Sequence, residues 1–165
     1  MKKTIITALL SLGLMTSLVA QQLPAKTESL SYYKGNELSL ALGLNYANDS
    51  TQEYAPALAL TYFVTKNLGV RALTKVNMTD VTAFDNVELV GLLRYPLGRF
   101  APYVGGGVRY QGSATDTWSP VANAGLEFRV NQHWGLVGEY QYDFQKSPNF
   151  NYQDSSFRVF LNLVF

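Results

Sequence analysis

Few residues of this chain can do chemistry, and their spacing restricts what that chemistry is. His133 is the single imidazole, and it stands beside Asn131 and Gln132 with no acid or serine close in sequence. A general base needs a partner within hydrogen-bond reach, so His133 reads as a turn residue. Glu139 and Asp143 are four residues apart, which puts both on one face of an extended strand. They could pair as acid and base, but basic residues share that face, and ion pairing is the simpler account. Gly105, Gly106 and Gly107 have no helix after them and so make no phosphate cradle. With no Cys and one His, thiol nucleophiles, disulfides and multi-His metal centres are excluded. No catalytic, metal-ligating or cofactor-binding residue is therefore assigned, and no cofactor is expected. What remains is a set of charges: Glu37, Arg71, Lys75, Glu88, Arg94, Arg109, Glu127, Arg129, Glu139, Asp143 and Arg158. Their chemistry is mutual neutralisation or, where water reaches them, ion selection.

Those charges recur at every second position of alternating segments. From Asn36 to Tyr46 the sequence NELSLALGLNY sets Leu38, Leu40, Leu42, Leu44 and Tyr46 against Glu37, Ser39, Ala41, Gly43 and Asn45. Period two of this strictness is a strand and not a helix face. The same alternation runs through Tyr54 to Val64, Leu68 to Met78, Asn86 to Tyr95, Arg99 to Gln111, Trp118 to Val130, His133 to Phe144 and Ser155 to Phe165. Eight strands are predicted. In the fourth, Val90 and Leu92 make both faces apolar, so its facing is ambiguous.

The final segment SSFRVFLNLVF is apolar at Phe157, Val159, Leu161, Leu163 and Phe165. Its length matches the ~9–11 residues with which a tilted strand crosses a bilayer. The connections alternate: Thr65 to Asn67, Pro96 to Gly98 and Asn131 to Gln132 are short, whereas Ala47 to Glu53, Thr79 to Asp85, Gly112 to Thr117 and Gln145 to Asp154 are longer and polar. Tight turns at one end and longer loops at the other are expected of a bacterial transmembrane barrel. On that topology Tyr62, Tyr95, Phe100, Trp134 and Phe165 fall at the turn end, and Tyr46, Tyr54, Tyr110, Trp118, Tyr142 and Phe157 at the loop end. Two aromatic girdles follow, one at each water interface.

Composition agrees. The 165 residues suit one domain, and 13 basic against 12 acidic residues argue against a nucleic-acid binder. Charged residues make up 15% of the chain, below the roughly 25% of soluble domains. Lys2 and Lys3, an apolar run from Ile5 to Val19, and Ala20 before Gln21 form a secretory signal peptide over residues 1–20. Residues 21–35 read as a leader, and 36–165 as the barrel. The main competitor is a soluble, lipocalin-like barrel, which would line its interior with bulky apolar residues. Here the less greasy face is Gly, Ala, Ser, Asn and charge, so the greasy face is assigned to lipid.

Taken together, RFAPYVGGGVRY and the closing FRVFLNLVF make the chain resemble the small eight-stranded outer-membrane β-barrels, a group that includes the OmpA membrane domain, OmpX and the opacity proteins. The resemblance implies a bacterial outer-membrane location with both termini periplasmic, contact with lipid and lipopolysaccharide, and recognition of Leu161, Leu163 and Phe165 by the assembly machinery. A monomer is expected. Enzymes among such barrels place a His with Ser or acidic partners toward the outer rim, and this sequence has none there. The sequence ends at the eighth strand, so no peptidoglycan-binding domain is expected, and its loops are shorter than those of OmpX and the opacity proteins. The expected function is a non-catalytic structural or surface role with an ion-paired interior. The alternative is a narrow porin, in which the same charges line a selective path. Simple hairpin register further predicts Lys75 opposite Glu88.

Overall fold

The computed structural model describes residues 32–47, 54–75, 86–111, 117–144 and 155–165. The expected signal peptide, most of the expected leader, and the connections 48–53, 76–85, 112–116 and 145–154 lie outside the described residues.

Eight strands form: β1 (Glu37–Ala47), β2 (Tyr54–Phe63), β3 (Leu68–Lys75), β4 (Asn86–Arg94), β5 (Phe100–Gln111), β6 (Thr117–Arg129), β7 (Trp134–Asp143) and β8 (Ser155–Val164). Each pairs antiparallel with its sequence neighbours, and β1 pairs with β8 to close an up-and-down barrel. Closure leaves no edge strand, which a sheet in hydrocarbon requires because no water is there to satisfy an unpaired backbone. The last ladder bond is donated by the Phe165 amide to the Leu38 carbonyl at 2.8 Å.

Local chemistry fixes the short turns. Thr65 Oγ1 accepts from the Asn67 and Leu68 amides, and Asn131 Oδ1 accepts from the His133 and Trp134 amides at 2.8 Å each. Such side-chain caps satisfy turn donors that the ladder leaves open. Gly98 supplies a φ of 63° between β4 and β5, where Leu97 and Phe100 exchange two backbone bonds.

Alternation then sorts the side chains. Leu42 and Leu44 on the outer face are 62% and 58% exposed, while Glu139, Arg129 and Arg158 on the inner face are fully buried. The ambiguity in β4 resolves with Leu89 and Leu93 outward and Val90 and Leu92 inward.

The inner face is less uniformly small and polar than alternation suggests. Phe63, Leu73, Val90, Leu92, Tyr103, Val137 and Phe160 pack inside with Ala41, Ala57, Ala59 and Val121. An eight-stranded barrel must fill its own interior, and glycines make the room. A Cβ on Gly43 would lie 2.6 Å from the Phe160 ring, and one on Gly69 the same distance from Phe63.

Candidate functional site

The inner charges form two neutral layers. In the central layer Glu139 of β7 accepts from Arg71 of β3 at 2.5 Å and from Arg158 of β8 at 3.0 Å. It also accepts from the Tyr103 hydroxyl at 2.8 Å and from Asn123 Nδ2 at 3.1 Å. Glu88 of β4 accepts from Arg158 Nη2 and from Gln141 Nε2, both at 2.8 Å, and lies 3.7 Å from Arg109. Arg109 donates to Asp143 at 2.7 Å, and Ser119 Oγ donates to the same carboxylate oxygen at 3.1 Å. Arg158 also donates to Asn45 at 2.9 Å and to Gln141. Three acids thus meet three arginines, and the bonds run from wall to wall.

The second layer lies at the turn end. Glu37 of β1 and Glu127 of β6 share Arg94 of β4 and Arg129 of β6. Arg94 contacts Glu37 at 3.1 Å and Glu127 at 3.5 Å, and its guanidinium lies 3.5 Å over the Phe63 ring. Asn162 Nδ2 donates to Glu127 at 3.0 Å. Buried charges persist only when paired and further hydrogen-bonded, and both layers meet that condition.

Of the predicted network, Glu37, Arg71, Glu88, Arg94, Arg109, Glu127, Arg129, Glu139, Asp143 and Arg158 are all buried inside. Lys75 is half-buried at the end of β3. It does not oppose Glu88, which instead faces Leu73 across β3 and β4 and takes its charge from Arg109 and Arg158. The register differs from simple hairpin closure by two residues, which preserves facing but changes partners. The Asn67–Arg94 tie, with Asn67 Nδ2 donating to the Arg94 carbonyl and the Arg94 amide to the Asn67 carbonyl, holds β4 against the β2–β3 turn. Glu139 and Asp143 do not pair with each other, since each is occupied by arginine.

Several aromatic positions pair. Across strands at the loop end, Tyr46 packs tilted against Tyr54 at 4.9 Å and Tyr110 against Trp118 at 5.0 Å, and Tyr142 meets Phe144, two residues further on, edge-on. Phe100 pairs with Phe128 at the turn end. Tyr62, Tyr95, Trp134, Phe157 and Phe165 are exposed on the outer surface, and Leu161 is likewise outward. Leu163 is half-buried beside Leu40 of β1. His133 Nδ1 lies 3.3 Å from the Val164 carbonyl. Among the described residues no cluster of three or more His, Cys, Asp or Glu could hold a metal.

Several members of the network escaped sequence reasoning. Gln141, Asn45, Asn123 and Tyr103 all fall on the inner parity of their strands, and that parity was the available signal. Tyr33 had none, because it precedes β1. Its ring inserts into the turn-end mouth, 2% exposed, between the Arg94 and Arg129 guanidinium groups at 4.8 Å from each. Its hydroxyl donates to the Arg99 and Glu127 carbonyls at 2.8 and 3.1 Å. Burial, and then the neighbouring Glu127 carboxylate, push this phenol well above its ordinary range.

The sequence matches the family described as outer membrane protein beta-barrel domain over residues 7–165. A search among curated proteins returns no match. Among solved structures, a de novo designed transmembrane β-barrel aligns with a TM-score of 0.63 and 20% identity, covering 80% of this chain and 98% of the designed one. OprG from Pseudomonas aeruginosa aligns at a TM-score of 0.53 with 15% identity, covering 81% and 97%. The neisserial surface protein NspA aligns at 0.51 with 13% identity, covering 78% and 94%. At these identities the likeness is one of fold.

Proposed function

The chain belongs to the outer membrane protein beta-barrel domain family, and from that premise we propose that it is a closed, non-catalytic barrel serving a structural or surface role in the bacterial outer membrane. The observation that carries the reading is the central layer, in which Arg71, Glu139, Arg158 and Glu88 connect β3, β7, β8 and β4 through the middle of the barrel. A selective pore needs charges that water and ions can reach; these carboxylates and guanidinium groups already satisfy one another. The outer apolar band and its aromatic ends support insertion in lipid, with lipopolysaccharide as the neighbour on the loop side. Short turns at the same end as the N-terminal segment and Phe165 support periplasmic termini. The outward Leu161 and Phe165 on the closing strand fit recognition by the assembly machinery. A monomer fits a barrel whose inner carboxylates and arginines are paired within one chain.

The test is solute entry into liposomes carrying the folded protein. Swelling in small sugars or amino acids is expected to match that of protein-free liposomes. Swelling that is faster, and graded by solute size, would replace this reading with the narrow porin.

A further inference from the structure

Residues 32–36, just ahead of β1, make no strand ladder, yet they are held at the barrel mouth. The β1–β2 ladder begins with Glu37 opposite Phe63, and the β1–β8 ladder with Ser39 opposite Val164. Tyr33 before them is nevertheless buried. Its neighbours are grasped by the two arginines that flank its ring and by Arg99. Arg129 donates to the Tyr32 carbonyl at 3.4 Å, Arg94 donates to the Lys34 carbonyl at 3.1 Å, and Arg99 donates to the Tyr32 hydroxyl at 3.1 Å.

We propose that residues 32–36 are a hinged stopper, which swings out of the turn-end mouth and admits water to the Glu37–Arg94–Glu127–Arg129 layer while the central layer stays shut.

Three features support a movable part. First, the hinge is built in. Asn36 has a φ of 56°, the left-handed region that breaks a strand, and its side chain is steadied by the Tyr62 hydroxyl at 3.2 Å. Second, among the described residues no ion pair ties residues 32–36 to the barrel, and withdrawal costs Glu37 only the Lys34 amide at 3.2 Å. Arg94 and Arg129 keep Glu37 and Glu127 as partners whether or not Tyr33 lies between them. A guanidinium carries five donors, so the donors released from the Tyr32 and Lys34 carbonyls can turn to water. Third, the layer behind the stopper offers a place for solvent. Asn162 gives its Nδ2 to Glu127, while its Oδ1, like that of Asn123 in the central layer, is buried with no donor among the described residues. A buried acceptor of this kind is ordinarily met by water.

The inference concerns the turn-end half alone and holds whether or not the barrel conducts. The chain contains no Cys, so introduced thiols report cleanly. Ser39→Cys reports on the turn-end half, since Ser39 is buried two residues into β1 beyond Glu37. Ser156→Cys reports from the far side, where the Ser156 hydroxyl donates to Gln141. Each is exposed, in the refolded protein, to a small membrane-impermeant thiosulfonate at increasing concentration. With the stopper intact, the Ser39→Cys labelling rate is expected to level off at high reagent, because opening becomes limiting. Adding Tyr33→Ala should raise that rate at least ten-fold and remove the plateau, with Ser156→Cys unchanged. Tyr33→Phe keeps the ring and loses only the hydroxyl bonds, and should give an intermediate rate. No labelling of Ser39→Cys with the stopper intact would overturn the proposal in favour of a fixed plug. Equal rates with and without Tyr33→Phe and Tyr33→Ala would overturn it in favour of an open mouth, and equal acceleration of both thiols would overturn the separation of the two layers.

Discussion

Glu139 and Arg158 are register partners on β7 and β8, joined at 3.0 Å, and each has a second partner on another wall: Arg71 of β3 for Glu139 and Glu88 of β4 for Arg158. One cross-strand pair is therefore also the bridge across the barrel. Neutralising Glu139 takes from Arg71 its carboxylate partner, and neutralising either residue leaves the layer with one uncompensated buried charge.

Glu139→Gln is accordingly expected to destabilise the barrel by about 3–5 kcal/mol, the cost of breaking a buried pair from one side. Urea unfolding followed by the heat-dependent gel shift measures it. A loss within about 0.5 kcal/mol, as at ordinary surface positions, would mean that the layer is hydrated and weakly coupled.

Glycines on the two faces should behave oppositely. Gly43→Ala places a methyl against the Phe160 ring and the β8 backbone, and overpacking of that kind costs about 1–3 kcal/mol. Gly106 faces outward with its nearest neighbour 3.8 Å away. Gly106→Ala should be neutral or stabilise by up to about 1 kcal/mol, because a strand glycine gives up more chain entropy than alanine. The same urea titration compares them.

The outer face is a lipid face, and a charge there should register as such. Leu42 lies in the middle of β1 and is 62% exposed. Leu42→Arg is expected to cost about 2–4 kcal/mol in a bilayer. Unfolding from lipid vesicles measures this, and a change near zero would mean that water, not hydrocarbon, covers the face.

Tyr33 gives the protein an alkaline sensitivity of stated sign. Its phenol is raised in the folded state, chiefly by burial and then by Glu127. A group so raised contributes its full stability below the unfolded value of about 10 and loses it as pH climbs beyond that value toward the folded one. Wild-type stability should therefore fall relative to Tyr33→Phe as pH passes from 8 to above roughly 10. Taking the difference cancels the exposed tyrosines that titrate in both proteins, and parallel curves would show that the ring is not buried in solution.

Much of this architecture is legible because period two leaves little choice. Once Leu38, Leu40, Leu42 and Leu44 share a face, Glu37 must lie on the other, and the same parity places Glu139, Asp143 and Arg158 inside. Partner choice was not legible. Glu88 meets Arg158 across the barrel because of how the strands are staggered, and stagger is not written in hydrophobic alternation. The β3–β4 register is a local case, since the intervening loop leaves a two-residue slip open and Leu73 takes the place expected of Lys75. Tyr33 was hidden for a different reason: it lies outside every periodic segment and is held by long-range contacts to Arg94, Arg99 and Arg129. The inward packing of Phe63, Val90 and Phe160 was not legible either, because sequence shows facing but not the volume that must be filled.

The central claim is that the Arg71–Glu139–Arg158–Glu88 layer closes the barrel, and single-channel recording in a planar bilayer tests it most directly. The refolded protein, its folding checked by the heat-dependent gel shift, is predicted to be silent under applied voltage. Steady openings that change in size or ion preference with Glu88→Gln would contradict the account, because they would show ions passing the carboxylates that the closed layer is said to consume.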